Sequence, residues 1–372
     1  YEEDILNLCR EGVAVGITLV ITSLQTNGIS YKYMSNFSNR ICLYCNQGDE
    51  YSTLFDRCRM IPKNVPGRGL VSLNKKIYEY QSYLAFAGER EIERVEAIKD
   101  FTIEINSKYI GEQARKIPEV PQILNNSYVE TNLKRVNMKP LQIPVGINYE
   151  DVEFVTVDLE KALTIGITGR EGYGKTNLVK IFMKYLQDNV FDIPSSVYIF
   201  DDYEKELESL SMCGIVEHYS TDITELDSIL SDIESEMQNR LELVRTDGIE
   251  MISDLPIILI IIQNNEVYSP DGISKSTVET YKRIIKTYKN MKICFIFSNI
   301  DNVGIAYGAP EMLKLVKEYN YLFVLDDLSN LRLIDINATT LKKFKKLIEV
   351  GDGYMITEKA IQKQKFIHME EI

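Results

Sequence analysis

At 372 residues the chain is longer than one average domain, and two domains are expected. Hydrophobic residues make up 45% and charged residues 26%, as in folded globular proteins, and no apolar run approaches the ~20 residues that cross a bilayer. The formal net charge of −13 argues against a surface built to track nucleic acid, which requires a basic stripe, although a basic pore can sit on an acidic protein.

The chain starts at Tyr1 without a basic-plus-apolar signal segment. It reads as a piece of a longer polypeptide whose membrane anchor, if it has one, lies outside these residues. The six cysteines (Cys9, Cys42, Cys45, Cys58, Cys213, Cys294) are scattered. Cys42 and Cys45 form one C-x-x-C inside the strand-like "RICLYC", with no second pair to complete a zinc site. Buried reduced thiols in a cytosolic setting are therefore expected. His218 and His368 have no metal-ligand spacing and receive no role.

In chain order, "EEDILNLCREG" reads as a helix, "VGITLVIT" as an apolar strand, "NRICLYC" as a second strand, and "PGRGLVSL" as a Gly-rich turn with a further short strand. In "GEREIERVEAIKDFTIEIN" the apolar residues Ile92, Val95, Ile98, Phe101 and Ile105 recur at helical spacing. Residues 108–140 turn polar around Pro118 and Pro121 and read as a linker. Strands and helices then alternate: "ALTIGIT", "GKTNLVKIFMKYLQD", "SSVYIFDD", the long amphipathic "ITELDSILSDIESEMQNRLELV", "IILIII", "KSTVETYKRIIKTY", "KICFIFS", "APEMLKLVKEY" and "YLFVL". Such alternation predicts an α/β fold with a doubly wound, mostly parallel sheet covered on both faces.

The first segment resembles the tail of the second. "GITLVITS" matches "MKICFIFS", "NRICLYC" matches "NYLFVLD", and "PGRGLVS" matches "VGDGYMI", in the same order. Two tandem copies of one fold are implied, the first truncated on its N-terminal side. The expected division is residues 1–107 for the rear of a first domain with a linking helix, 108–140 for the lead-in, and 141–372 for a complete domain.

"GREGYGKT", Gly169 to Thr176, fits G-x-x-x-x-G-K-[ST] and lies between a buried strand and a helix, the context that motif needs. Gly169, Gly172 and Gly174 let backbone N–H groups converge on phosphate oxygens. Tyr173 and Asn177 flank the contact, Lys175 reaches the outer phosphates, Thr176 offers its hydroxyl to Mg²⁺, and the positive end of the helix faces the anion. The alternative is a Gly-rich turn without a ligand. Glu171 is out of place beside a triphosphate unless it points outward.

The strand "IILIII" should deliver the Mg²⁺-holding and water-activating carboxylates of a P-loop ATPase. It ends instead in Gln263 and Asn264. An amide hydrogen-bonds a metal-bound water but carries no charge and is no general base near neutral pH. Glu266 and Asp202 are the candidate substitutes, with Asp201 and Asp202 read more simply as strand-end acids near the nucleotide edge. Ser298 and Asn299, ending the next strand, stand where they could sense a terminal phosphate or merely cap a turn. Thr22 and Ser23 are their counterparts in the first copy.

"REGVAVGITLVIT", "PGRGL", "IPVGI" and "GREGYGKTNL" together resemble the FtsK/SpoIIIE-type ATPase domains of the EssC-type coupling proteins of Gram-positive type VII secretion, over nearly the whole chain. The resemblance implies a RecA-like P-loop NTPase core, ATP and Mg²⁺ as cofactors, and hexamer-type assembly with other domains or subunits of a secretion machine. It further implies docking of small helical-hairpin (WXG-type) secreted proteins on the last domain, at the cytoplasmic face of a membrane reached only through regions outside this chain. The sequence departs from that pattern at Val13, where Arg10, Glu11 and Gly12 are not followed by a further arginine, and at Gln263 and Asn264. A nucleotide-binding receptor domain with weak or no hydrolysis, and no nucleic acid partner, is the expectation. An ATP-driven DNA translocase and an active ATPase using Glu266 or Asp202 remain as alternatives.

Overall fold

The computed structural model describes residues 2–73, 76–111, 117–133, 138–188, 193–269, 272–300, 309–344 and 348–369. They fall into two compact units, Tyr1–Ala114 and Arg115–Ile372. No helix among the described residues is long and apolar enough to cross a membrane.

The first unit contains helices α1 (Glu2–Glu11), α2 (Tyr31–Met34), α3 (Glu50–Leu54) and α4 (Glu91–Lys108), with strands β1 (Ile41–Leu43), β2 (Arg68–Leu73) and β3 (Lys76–Gln81). The strands form an antiparallel sheet in the order β1-β2-β3. A small core of Cys42, Tyr51, Phe55, Cys58 and Leu70 holds it together. The Cys42 and Cys45 sulfurs are 3.3 Å apart as free thiols. Burial pushes the Cys42 thiol up to about 12, so it stays neutral at physiological pH.

The strand expected over "VGITLVIT" does not form. Gly12–Val15 is a 3₁₀ turn, and residues 17–23 carry no ladder partner among the described residues and are mostly exposed. The physical reason lies in the second unit, where the corresponding segment is hydrogen-bonded on both edges by parallel strands. Residues 2–16 hold only α1 and the turn, and no strand among the described residues of this unit pairs with the segment. The apolar spacing in α4 likewise buries nothing: the helix forms, but Ile92, Val95, Ile98, Phe101 and Ile105 are all exposed within this unit.

The second unit begins with α5 (Asn126–Leu133), a helix within the stretch read as linker; Val129 and the preceding Leu124 enter the main core. Next come β4 (Gln142–Asn148), β5 (Phe154–Asp158), β6 (Thr164–Gly169), α6 (Lys175–Asp188), β7 (Ser195–Phe200) and β8 (Val216–Ser220). They are followed by α7 (Leu226–Asp247), β9 (Ile257–Ile262), α8 (Lys275–Thr287), β10 (Ile293–Phe297) and α9 (Glu311–Val316). Finally come β11 (Tyr321–Leu325), α10 (Ala338–Lys343), β12 (Asp352–Ile356) and β13 (Ile361–Phe366). The ten strands form one sheet in the order β5-β4-β13-β12-β11-β6-β10-β9-β7-β8. From β11 through β8 every pairing is parallel, and from β11 back to β5 every pairing is antiparallel.

Strand periodicity explains the unbroken apolar run of β9. Ile257, Leu259 and Ile261 face one side, where Leu178, Val179, Ile181 and Phe182 of α6 pack. Ile258, Ile260 and Ile262 face the other, against Leu226, Leu230 and Ile233 of α7 and Tyr281 and Ile284 of α8. Each fully buried side chain of this size contributes about 1.5–3 kcal/mol, so the centre of the sheet is a rigid platform. The antiparallel run β11-β12-β13 has the same order and sense as β1-β2-β3 in the first unit. With helices on both faces of the large sheet, the second unit is an α/β P-loop NTPase fold.

Candidate functional site

The chain leaves β6, in the middle of the sheet, through Gly169 and enters α6 at Lys175. Gly169 has φ +150, and a Cβ there would meet Leu325 O at 2.6 Å. Only glycine permits this close passage beneath the end of β11. Gly172 at φ +75 and Gly174 at φ +104 turn the loop back, and nothing lies within 4 Å of where a Gly172 Cβ would stand. The loop is thus an open backbone concavity at the N-terminus of a long helix, the arrangement that favours phosphate.

Arg170 fastens this loop to the tip of β11. Its Nε pairs with Asp326 Oδ1 at 2.7 Å and its Nη2 with Asp327 Oδ2 at 2.8 Å, while its guanidinium lies 5.4 Å from the Tyr173 ring centre. Lys175 Nζ donates to Gly169 O at 3.2 Å and Arg170 O at 3.1 Å. Burial lowers its pKa, opposed by the charges of Glu206 and Glu171. Glu171 itself is exposed. Asn177 is committed elsewhere: its Nδ2 donates to Ile367 O at 2.7 Å and its Oδ1 accepts from Met369 N at 2.9 Å. It anchors the segment after β13 to α6.

The tips of β9 and β10 complete the site. Continuing the alternation of β9, Gln263 falls on the α6 side and Asn264 on the opposite side. Asn264 Nδ2 donates to Asp201 O and Thr221 O, both at 3.1 Å, tying the ends of β7 and β8 to β9. Its Oδ1 accepts from Glu266 N at 2.9 Å and starts the next 3₁₀ turn. Gln263 instead turns toward the phosphate loop, with Nε2 donating to Glu206 Oε2 at 3.0 Å. Thr176 Oγ1 donates to the same carboxylate oxygen at 2.5 Å. Gln263 is 1% exposed, yet its Oε1 has no partner among the described residues. On the neighbouring strand, Ser298 is equally buried, and its Oγ has no partner among the described residues. Asn299 adopts φ 62, which turns the chain back so that Ile300 O accepts from Thr168 Oγ1 at 2.7 Å.

Glu206, absent from the sequence-derived candidates, is the carboxylate that reaches Thr176. Asp202 accepts from Glu204 N at 2.9 Å, and burial raises its pKa. Asp201 is fully buried, accepting from Leu207 N at 2.8 Å, Asp202 N at 2.9 Å and Tyr219 Oη at 3.0 Å. Glu266 is exposed, and its carboxylate accepts no hydrogen bond from Thr176, Lys175 or Gln263 among the described residues. Thr22 and Ser23 lie in the unpaired segment of the first unit, where Ser23 Oγ donates to Gln25 O at 2.7 Å. One signal could have found Glu206: β7 neighbours β9, so the acidic "DDYEKE" following β7 must pass the tip of β9.

The donor set fits a nucleoside triphosphate with a hard divalent cation. A glycine cradle, a helix N-terminus, a lysine, a hydroxyl beside a carboxylate, and two orphaned buried oxygens converge at the carboxyl ends of adjacent parallel strands, where open α/β sheets bind ligands.

No protein-family model matches the chain. Over 373 residues it is 22% identical to the ESX secretion system protein YukB of Bacillus subtilis, covering 97% of this chain and 24% of YukB. It therefore spans about a quarter of that relative's length. Among solved structures, EssC (ATPases 2 and 3) from Geobacillus thermodenitrificans superposes with a TM-score of 0.70 at 21% identity, covering 99% of this chain and 68% of that one. Thermomonospora curvata EccC (ATPases 2 and 3), in complex with a signal sequence peptide, superposes with a TM-score of 0.64 at 18% identity, covering 100% and 65%. The chain is thus similar to the EssC, YukB and EccC secretion proteins, spanning a minor part of each, and shares the fold of ATPases 2 and 3 of EssC and EccC.

Proposed function

We propose that the second unit binds ATP with Mg²⁺ in the Gly169–Thr176 loop, turns it over slowly, and acts as a nucleotide-responsive receptor within a type VII secretion motor. The observation that carries this reading is the pairing of an intact phosphate loop with a β9 tip that presents Gln263 in place of a carboxylate. A neutral amide leaves the attacking water without a general base, so the bound nucleotide holds one conformation. Slow turnover suits coupling, because substrate docking linked to that conformation shares its free energy with nucleotide binding.

The class of substrate is inferred from the relatives. The EccC structure holds a signal sequence peptide, and small secreted helical-hairpin proteins are the corresponding partners proposed here, with other domains or copies of the motor completing the assembly. In such a machine the unit works on the cytoplasmic side of the membrane.

Thermal melting of the 372-residue chain with and without MgATP tests the nucleotide part. At ligand near 100 times Kd, stabilisation of about 2.7 kcal/mol is expected, and Lys175→Ala should abolish it while leaving the unliganded melting point in place. ATP turnover should stay near background, and should not change in Glu266→Gln. Absence of any MgATP-dependent shift would overturn nucleotide binding, and brisk turnover lost in Glu266→Gln would overturn the slow-hydrolysis reading.

A further inference from the structure

We propose that Glu206 supplies the cation-holding carboxylate that β9 lacks, so that Thr176, Glu206 and Gln263 form a divalent-cation site assembled from the loop after β7. The inference rests on the nucleotide reading above and adds to it the residue that replaces the missing strand-end acid.

Three observations carry it. Glu206 Oε2 accepts from Thr176 Oγ1 at 2.5 Å and from Gln263 Nε2 at 3.0 Å. It thereby sits between the hydroxyl that follows the loop lysine and the residue occupying the usual acid position. Gln263, 1% exposed, keeps its Oε1 unpartnered among the described residues. A buried amide oxygen without a donor carries an uncompensated desolvation cost, and a cation or one of its waters removes that cost. The donor set of carboxylate, hydroxyl and amide oxygen is all hard oxygen, as Mg²⁺ requires, and Mg²⁺ is usually held by one or two carboxylates together with substrate phosphates.

The third observation is preorganisation. Glu206 is exposed, but its neighbours are fixed. Asp201 holds Leu207 N and Asp202 N through its two carboxylate oxygens, and the Leu207 side chain is fully buried. Between them, Lys205 takes φ 55 and its N–H closes a turn onto Asp202 O at 3.2 Å. The loop therefore delivers the carboxylate to the phosphate-loop helix without first having to order itself. One carboxylate beside an amide holds the ion where a strand-end acid would otherwise activate water, in keeping with binding rather than fast turnover.

The test compares ATP affinity by isothermal titration in Mg²⁺ and in EDTA, using the full 372-residue chain and its Glu206→Gln and Glu206→Asp variants. Wild type should bind ATP more tightly in Mg²⁺. Glu206→Gln should lose that preference by roughly tenfold or more, with its EDTA affinity and melting point unchanged, and Glu206→Asp should retain part of it. A Glu206→Gln variant with the wild-type Mg²⁺ preference would sink the proposal. So would equal tightening of ATP in both buffers, which would make Glu206 a plug in the loop. Wild-type ATP binding indifferent to Mg²⁺ would overturn the cation site while sparing nucleotide binding. No ATP binding in either buffer would remove the nucleotide reading and this one with it.

Discussion

At the scale of single residues, the site separates two kinds of acid that look alike in sequence. Asp201 and Glu206 both follow β7, yet Asp201 is buried and used by the fold, whereas Glu206 is exposed and aimed at the phosphate loop. Replacing Asp201 with alanine strands the N–H groups of Leu207 and Asp202 and the Tyr219 hydroxyl. Leaving a buried donor without its acceptor costs about 1–3 kcal/mol. Asp201→Ala should therefore lower urea-denaturation stability by roughly 2–4 kcal/mol, allowing for water reaching the loop, and should weaken the Mg²⁺ preference for ATP as the loop loosens. A loss below about 0.5 kcal/mol, the range of ordinary surface substitutions, would show that the loop is held by other contacts. The open turn of Gly169–Thr176 was legible because it is contiguous: eight residues carry its glycines, lysine and threonine. Glu206 was not, because its partners Thr176 and Gln263 lie 30 and 57 residues away and meet it only through strand order.

At the scale of elements, legibility followed burial. The central strands β6, β9 and β10 are covered on both faces and announce themselves as apolar runs. Other strands are quieter: β8 (VEHYS) lies at one edge, and β13 (IQKQKF), though paired on both sides, mixes charge with apolar residues, so neither stands out from a loop. Helical spacing misled in the opposite sense at α4, where a regular apolar stripe forms a helix but enters no core. Ile98 is 47% exposed, whereas Ile233 on α7 is 3% exposed and packed against β9 and its neighbours. Ile98→Ala should change stability by no more than about 0.5 kcal/mol, while Ile233→Ala should cost about 2–5 kcal/mol. Guanidinium titrations of the two variants side by side decide the matter. A cost at Ile98 close to that at Ile233 would mean that the α4 stripe is buried in solution.

At the scale of the whole molecule, the two units differ in how much core they possess. The first gathers five buried side chains into its cluster, while the second packs apolar layers on both faces of a ten-stranded sheet. Stability scales with apolar burial while the entropic cost of ordering scales with chain length, so the first unit should unfold at lower temperature and with less enthalpy per residue than the ~0.7 kcal/mol per residue typical near 60 °C. Calorimetry of the intact chain should then resolve two transitions. Ligand binding raises only the transition of the unit that binds it, so MgATP should move the upper transition and leave the lower one in place. Lys175→Ala should cancel that movement without altering the lower peak. A single transition that shifts as a whole with MgATP would mean that the small core of the first unit draws its stability from the second, and that nucleotide binding is felt across the entire chain.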